Sequence, residues 1–247
     1  MAGRAPVGTL RMTWLIARRA AVEALQDRFT LVMSLFFVIA LPIGLVAFIV
    51  RPQAEAGDPG SLGVGLSFSL LTIGLLPALS AVGIASGQFA GEHERGVLVP
   101  LLASPASNLA IFGGKVLGAV IPPLIYALVA ELVYLLSILL VLGPGPLAFL
   151  SPPVVAAMLV LVPAVTCLAA IIASLIASRV RTFNAAQQLA GLALGPVLAV
   201  ILAGAARLLD TGGVALFAAI LGLLLLDLAL AAVAAATWQR EEVLSRR

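Results

Sequence analysis

Six long apolar stretches divide this chain, at about residues 29–50, 65–89, 116–142, 154–177, 186–206 and 214–237. A helix needs about 20 apolar residues to cross the hydrocarbon core of a bilayer, and each stretch supplies them. Lipid offers no water to the backbone, so every N–H and C=O must be satisfied within the protein. Helices do this within one segment; the strand alternation of a membrane barrel is absent. The chain is 62% hydrophobic and 10% charged, with a mean hydropathy of +1.20. Soluble domains carry about 25% charged residues, so these charges are too few to cover a water-facing surface. The expected fold class is an all-α integral membrane protein with six transmembrane helices. The third stretch is longer than a bilayer needs, so it is expected to tilt or to extend into the cytosol.

Basic residues set the expected orientation. With the N-terminus inside, the cytoplasmic segments hold Arg4, Arg11, Arg18, Arg19, Arg28, Arg95, Lys115, Arg179, Arg181, Arg240, Arg246 and Arg247, and the external loops hold Arg51 and Arg207. Twelve against two is a strong positive-inside bias, which places both termini in the cytoplasm. About 28 residues with scattered charges precede the first stretch and carry no apolar core, so a cleavable signal is not expected. Trp14 and Trp238 both fall at the cytoplasmic interface in this topology.

Within residues 1–28, the part from Arg11 to Arg28 is amphipathic. Trp14, Ala17, Ala21, Ala24 and Leu25 share one stripe, and Arg19, Glu23, Gln26 and Asp27 lie opposite. An interfacial helix on the cytoplasmic leaflet is expected. The external loops are short. The first, residues 51–62, is rich in Pro, Gly and acid and reads as an irregular link. The second, residues 143–153, is uncharged, Gly/Pro-rich and unsuited to a helix. The third lies near residues 208–213. A large substrate-capturing external domain is not expected.

Several chemistries find no support. The single cysteine, Cys167, lies in the fourth stretch and His93 is the lone histidine, so neither an internal disulfide nor a Cys/His metal site can form. Gly113-Gly114-Lys115 is followed by Val116 and lacks the first glycine of a P-loop. The net charge of +3 is spread over several segments, which argues against nucleic-acid binding. If nucleotide powers this protein, another polypeptide must bind it.

One charged cassette, residues 91–105, separates the second and third stretches: Gly-Glu-His-Glu-Arg-Gly-Val-Leu-Val-Pro-Leu-Leu-Ala-Ser-Pro. Glu92 and Glu94 are expected to open a short helix, where carboxylates complement the positive end of the dipole. Val97, Leu98, Leu101 and Leu102 then form an apolar ridge, Pro100 bends it, and Ser104-Pro105 stops it. Such a knob fits a groove on another protein; an ordinary loop helix resting on the bilayer is the alternative.

The cassette resembles the first cytoplasmic loop of ABC-2 type transporter permeases, roughly E-x-E-x-G-T-L-E-x-L-L-A-[ST]-P followed by G-K. This chain has Glu92, Glu94, Gly96, Val97, Leu98, Leu101, Leu102, Ala103, Ser104 and Pro105, then Gly114-Lys115. It departs at Val97 and Val99, which stand for the usual Thr and Glu. The stretch from Arg18-Arg19 to Leu31 is similar to that family's charged N-terminal helix, and residues 238–244 to its C-terminal ending. The resemblance implies one permease domain over residues 1–247, with residues 90–109 as a coupling-helix loop. It implies that Glu92, Glu94, Arg95, Gly96, Val97, Leu98, Leu101 and Leu102 dock on a separate ATP-binding subunit present in two copies. A second permease chain would complete the pathway as a homo- or heterodimer. No cofactor is expected on this chain, ATP and Mg being held by the partner subunit. The expected location is the cell membrane of a prokaryote, and export is the expected direction.

Polar residues inside the stretches are the other candidates. Glu131 in the third and Asp227 in the sixth would each cost about 2.5–3.5 kcal/mol as a lone charge at the bilayer centre, so each needs a partner, a cavity or a proton. They read either as a cation or proton site or as protonated acids bonded between helices, with Tyr126 and Tyr134 as expected partners of Glu131. Ser67, Ser69, Thr72, Ser80, Ser86 and Gln88 in the second stretch read as pathway lining or close packing. Pro42, Pro77 and Pro196 are expected to bend their helices. In the resembled family the first and fifth spans meet the paired protomer, so Gln187 is a candidate interface residue.

The sequence thus favours a non-catalytic permease subunit. The rivals are the haem-exporter B component of cytochrome c maturation, a proton-coupled secondary transporter using Glu131 and Asp227, and a membrane scaffold without transport. No similarity between the two halves supports the second. The transported substrate is not written in these features.

Overall fold

The computed structural model describes residues 9–26, 32, 34–96, 106–150, 152–211 and 213–237. Among these, regular structure is helical throughout. Helix α1 is Thr9–Gln26; α2 is Phe36–Ala56 and α3 is Pro59–Glu94; α4 is Asn108–Leu142; α5 is Pro152–Ala177; α6 is Phe183–Thr211; α7 is Gly213–Thr237. Helices α2 to α7 contain six segments long and apolar enough to cross a membrane. Helix α4 has 35 residues, about 52 Å at 1.5 Å per residue, well beyond a hydrocarbon core of about 30 Å.

Helices α3 and α5 occupy the centre, and the other four spans present most of their surface outward. Leu66, Ile73, Leu75, Tyr134, Ile138, Val165, Leu168 and Leu194 fill the interior, whereas Phe48 and Leu140 are each 83% exposed. Large exposed apolar side chains suit a surface solvated by lipid. Lipid tails are as apolar as leucine, so what holds these helices together is close packing and internal hydrogen bonds. The buried Ser67, Ser69 and Ser86 of α3 fit that packing role.

Prolines shape the helices. Pro42 and Pro52 each follow a π-helical turn, Phe36–Ala40 and Val46–Val50 respectively. At Leu76-Pro77 helix α3 breaks into a turn and restarts at Ala78, because Pro77 offers no N–H to the Ile73 carbonyl. Helical bonding continues past Pro163 and Pro196.

The first link is more ordered than its composition suggests. Helix α2 continues through Arg51–Ala56 with an Arg51–Glu55 pair at 2.8 Å. Gly57 then ends it with φ of +71°, and Asp58 opens α3. Residues read as loop formers are here a glycine C-cap, an aspartate N-cap and Pro59 in the first turn. The second link likewise holds one short 3-10 turn, Gly145–Phe149. Asp58 Oδ1 and Oδ2 accept from the N–H groups of Gly60 at 3.2 Å and Ser61 at 3.0 Å. The Ser61 backbone N–H above all, then its hydroxyl and the Gly60 N–H, hold the Asp58 carboxyl below its usual range. A depressed carboxylate stabilises the fold above its unfolded value of about 3.9 and loses that contribution as pH falls through the folded value. Asp58→Ala is therefore expected to speed amide exchange at residues 60–62 at pH 7, and the difference from the parent chain should vanish in acid below the folded value. An unchanged exchange rate at pH 7 would refute the cap.

Helix α1 packs along the start of α4. Ala17, Ala20 and Ala21 are buried there, opposite Gly114 and Gly118. A Cβ at Gly118 would lie 2.5 Å from Ala20 Cβ and 3.0 Å from the Ala17 carbonyl oxygen; at Gly114 it would lie 2.8 Å from Ile16 Cβ. Only glycine permits this approach. The alanines expected to rest on a bilayer surface thus face α4, while Trp14 is exposed. On the outer side Arg19 and Glu23 pair at 2.8 Å.

Candidate functional site: the acidic turn joining three helices

The acids of the cassette do not open a new helix. Glu92–Glu94 continue α3 to its end, and Gly96 closes it with φ of +72°. Two bonds shape the close: the Gly96 N–H donates to the His93 carbonyl at 3.1 Å, and Arg95 Nε donates to the Gly91 carbonyl at 3.0 Å. Carboxylates at a helix C-terminus face the negative end of the dipole. Here that position is offset by partners on other helices. Val97, Leu98, Leu101 and Leu102 lie outside the described residues.

Glu92 reaches α4. Its Oε2 accepts from Lys115 Nζ at 2.7 Å, and Lys115 also donates to the Gln88 carbonyl. Lys115 is 2% exposed, and its ammonium sits 5.0 Å from the Phe89 ring centroid. A buried ammonium needs its charge paired and its donors used, and Glu92, the Gln88 carbonyl and the ring face serve this one. The Phe89 ring in turn leans on Phe112, with centroids 5.4 Å apart.

Glu94 reaches α6. Its Oε2 accepts from the backbone N–H of Phe183, the first residue of α6, at 3.0 Å. Glu94 ends α3 rather than opening a helix of its own, and its carboxylate meets the N-terminus of α6. The Phe183 ring covers the glycine face of α3 near Gly87 and Gly91. The two acids thus fasten the end of α3 to the starts of α4 and α6. The sequence resemblance contains both Glu92 and Lys115, but their pairing appears only in three dimensions. Gln88 was read for its side chain but serves Lys115 through its backbone carbonyl; Phe89 and Phe183 carry no chemical signature that sequence reading would select.

The intramembrane acids lie elsewhere and apart. Half-buried Glu131 on α4 points into a notch at Gly74 of α3. A Cβ at Gly74 would sit 2.7 Å from both Glu131 Oε1 and Val162 Cγ2 of α5. Neither expected tyrosine bonds Glu131 among the described residues: Tyr134 donates to the Leu66 carbonyl at 3.1 Å, and the buried Tyr126 hydroxyl has no hydrogen-bond partner there. Buried Asp227 on α7 is within electrostatic reach of Cys167 on α5, and its Oδ1 also lacks a partner among the described residues. Gln187 is exposed and lies alongside Gly83 of α3 in the same chain.

No protein-family profile matches the chain. It is similar to a curated protein of Pseudomonas aeruginosa strain PAO1, "Probable ABC transporter permease protein NosY", with 31% identity over 107 residues. The matched stretch makes up 43% of this chain and 38% of that relative. Six helices long and apolar enough to cross a membrane fit an integral membrane protein, and the partial likeness is to a transporter permease.

Proposed function

We propose that this chain is the membrane-spanning permease subunit of an ATP-driven exporter, pairing with a second permease chain and driven by a separate ATPase subunit. The observation that carries the reading is the acidic turn, where one short charged segment is fixed to the ends of three spans. A push on residues 97–105, just beyond this turn, would reach α3, α4 and α6 together. The positive-inside count supports a cytoplasmic position for that turn, the side where ATP is. The likeness to a probable ABC transporter permease points the same way. Catalysis would rest on the partner chain, and this chain would contribute the pathway and the docking segment.

The test is to purify the tagged chain from its native membranes in mild detergent. A P-loop ATPase is expected at one copy per permease chain, and Leu98→Asp is expected to lower its retention at least tenfold, because a charge placed in an apolar contact costs well above the 1.4 kcal/mol of one decade. Glu92 is unsuited to this test, since replacing it strands Lys115. A dimeric chain free of any ATPase would refute the motor-driven reading. It would turn attention to proton coupling, for which the Asp227 oxygen without a partner among the described residues is the relevant observation.

A further inference from the structure

The geometry points to Glu94 as a transmission strut within the chain rather than a docking contact for the motor. This rests on the proposed function above, because a strut transmits motion only if a partner supplies it. Glu94 Oε2 is engaged by the Phe183 N–H at 3.0 Å, across 89 positions of sequence. Phe183 is the first residue of a 29-residue span, so a displacement of the acidic turn pulls on the cassette end of α6. Glu92 acts in parallel on α4 through Lys115 at 2.7 Å. A carboxylate used in this way differs from one that meets a basic patch on a partner. The strut needs only an acceptor oxygen, whereas a charge-paired contact needs the negative charge.

Glutamine keeps the acceptor and loses the charge; alanine loses both. Exposed Glu94 is a tolerant site for either change. In the isolated chain, Glu94→Ala is expected to speed exchange of the Phe183 amide roughly fivefold, the size of a lost helix cap, with Glu94→Gln near the parent rate. In the complex with the captured ATPase, trapped with ATP and vanadate, nucleotide-dependent exchange changes are expected at residues 108–118 and 183–187. Glu94→Ala should abolish the change at 183–187, preserve it at 108–118 and leave ATPase retention unchanged, while Glu94→Gln behaves as the parent. Loss of ATPase retention in both variants would overturn the strut and make Glu94 a docking contact. An unaltered response at 183–187 in Glu94→Ala would overturn it too. Failure of the parent chain to retain an ATPase strikes the proposed function instead, and the exchange measurement on the isolated chain still tests the bond.

Discussion

Gly118→Ala is expected to lift α1 from α4, although it adds a single methyl group. That methyl would stand 2.5 Å from Ala20 Cβ and 3.0 Å from the Ala17 carbonyl oxygen. Neither neighbour is the movable tip of a long side chain, so helix α1 itself must shift. Overpacking of this kind costs about 1–3 kcal/mol. Freed from α4, an 18-residue helix is marginal on its own, so its amides should exchange roughly tenfold faster. Gly113→Ala is the control. A Cβ there meets only Thr13 Cγ2 at 3.9 Å, ordinary contact, and alanine gains helix propensity of up to about 1 kcal/mol over glycine. Opposite signs at positions 113 and 118 would establish the crossing; equal effects would refute it.

The spans were legible because hydropathy and length suffice for them in lipid. The expected stretch 116–142 and observed α4 share their C-terminal end, Leu142. At its start the helix runs back to Asn108, where Ser107 Oγ caps it by accepting from the Ala110 N–H at 3.1 Å. Lys115 interrupts the apolar run and set the expected start after it, although Ala110, Ile111 and Phe112 before it are apolar and buried. The alanine stripe of α1 was visible, but its partner was not. Gly114 and Gly118 look like any small residues until the helices cross. The acids show a different failure. Their charge was read as opening a helix, whereas they close α3, and local sequence cannot say that Glu94 accepts from the start of α6, 89 positions away. Lys115 was read for its orienting charge, and its burial became evident only once α1, α3 and α4 enclosed it. At Glu131 the nearby tyrosines suggested partners by sequence spacing; Tyr134 instead spans to the Leu66 carbonyl of α3, where a buried acceptor uses its proton.

The largest effect is expected at the Glu92–Lys115 pair, and it should be asymmetric. Lys115 is 3% exposed at its side chain and Glu92 is 20% exposed. Removing the carboxylate by Glu92→Ala leaves the ammonium enclosed with one carbonyl and an aromatic face, and an uncompensated buried charge costs about 3–5 kcal/mol. Removing the ammonium by Lys115→Met leaves an acid already near solvent, which can turn outward, and methionine takes the space of the buried lysine stem. Its cost should stay below about 1.5 kcal/mol, the range of volume-conserving swaps. The double variant Glu92→Ala/Lys115→Met is then expected to be more stable than Glu92→Ala alone, because the second change removes the charge that the first one strands. Unfolding by SDS in mixed micelles, run on the parent, both single variants and the double, measures the coupling directly. Additive losses would mean that the two groups do not meet. Equal losses in the two single variants would mean that the lysine is no more enclosed than the acid. A rescue by the second substitution is the result that only an internal, desolvated pair can give, and it would mark Glu92 as a residue whose first duty is to α4.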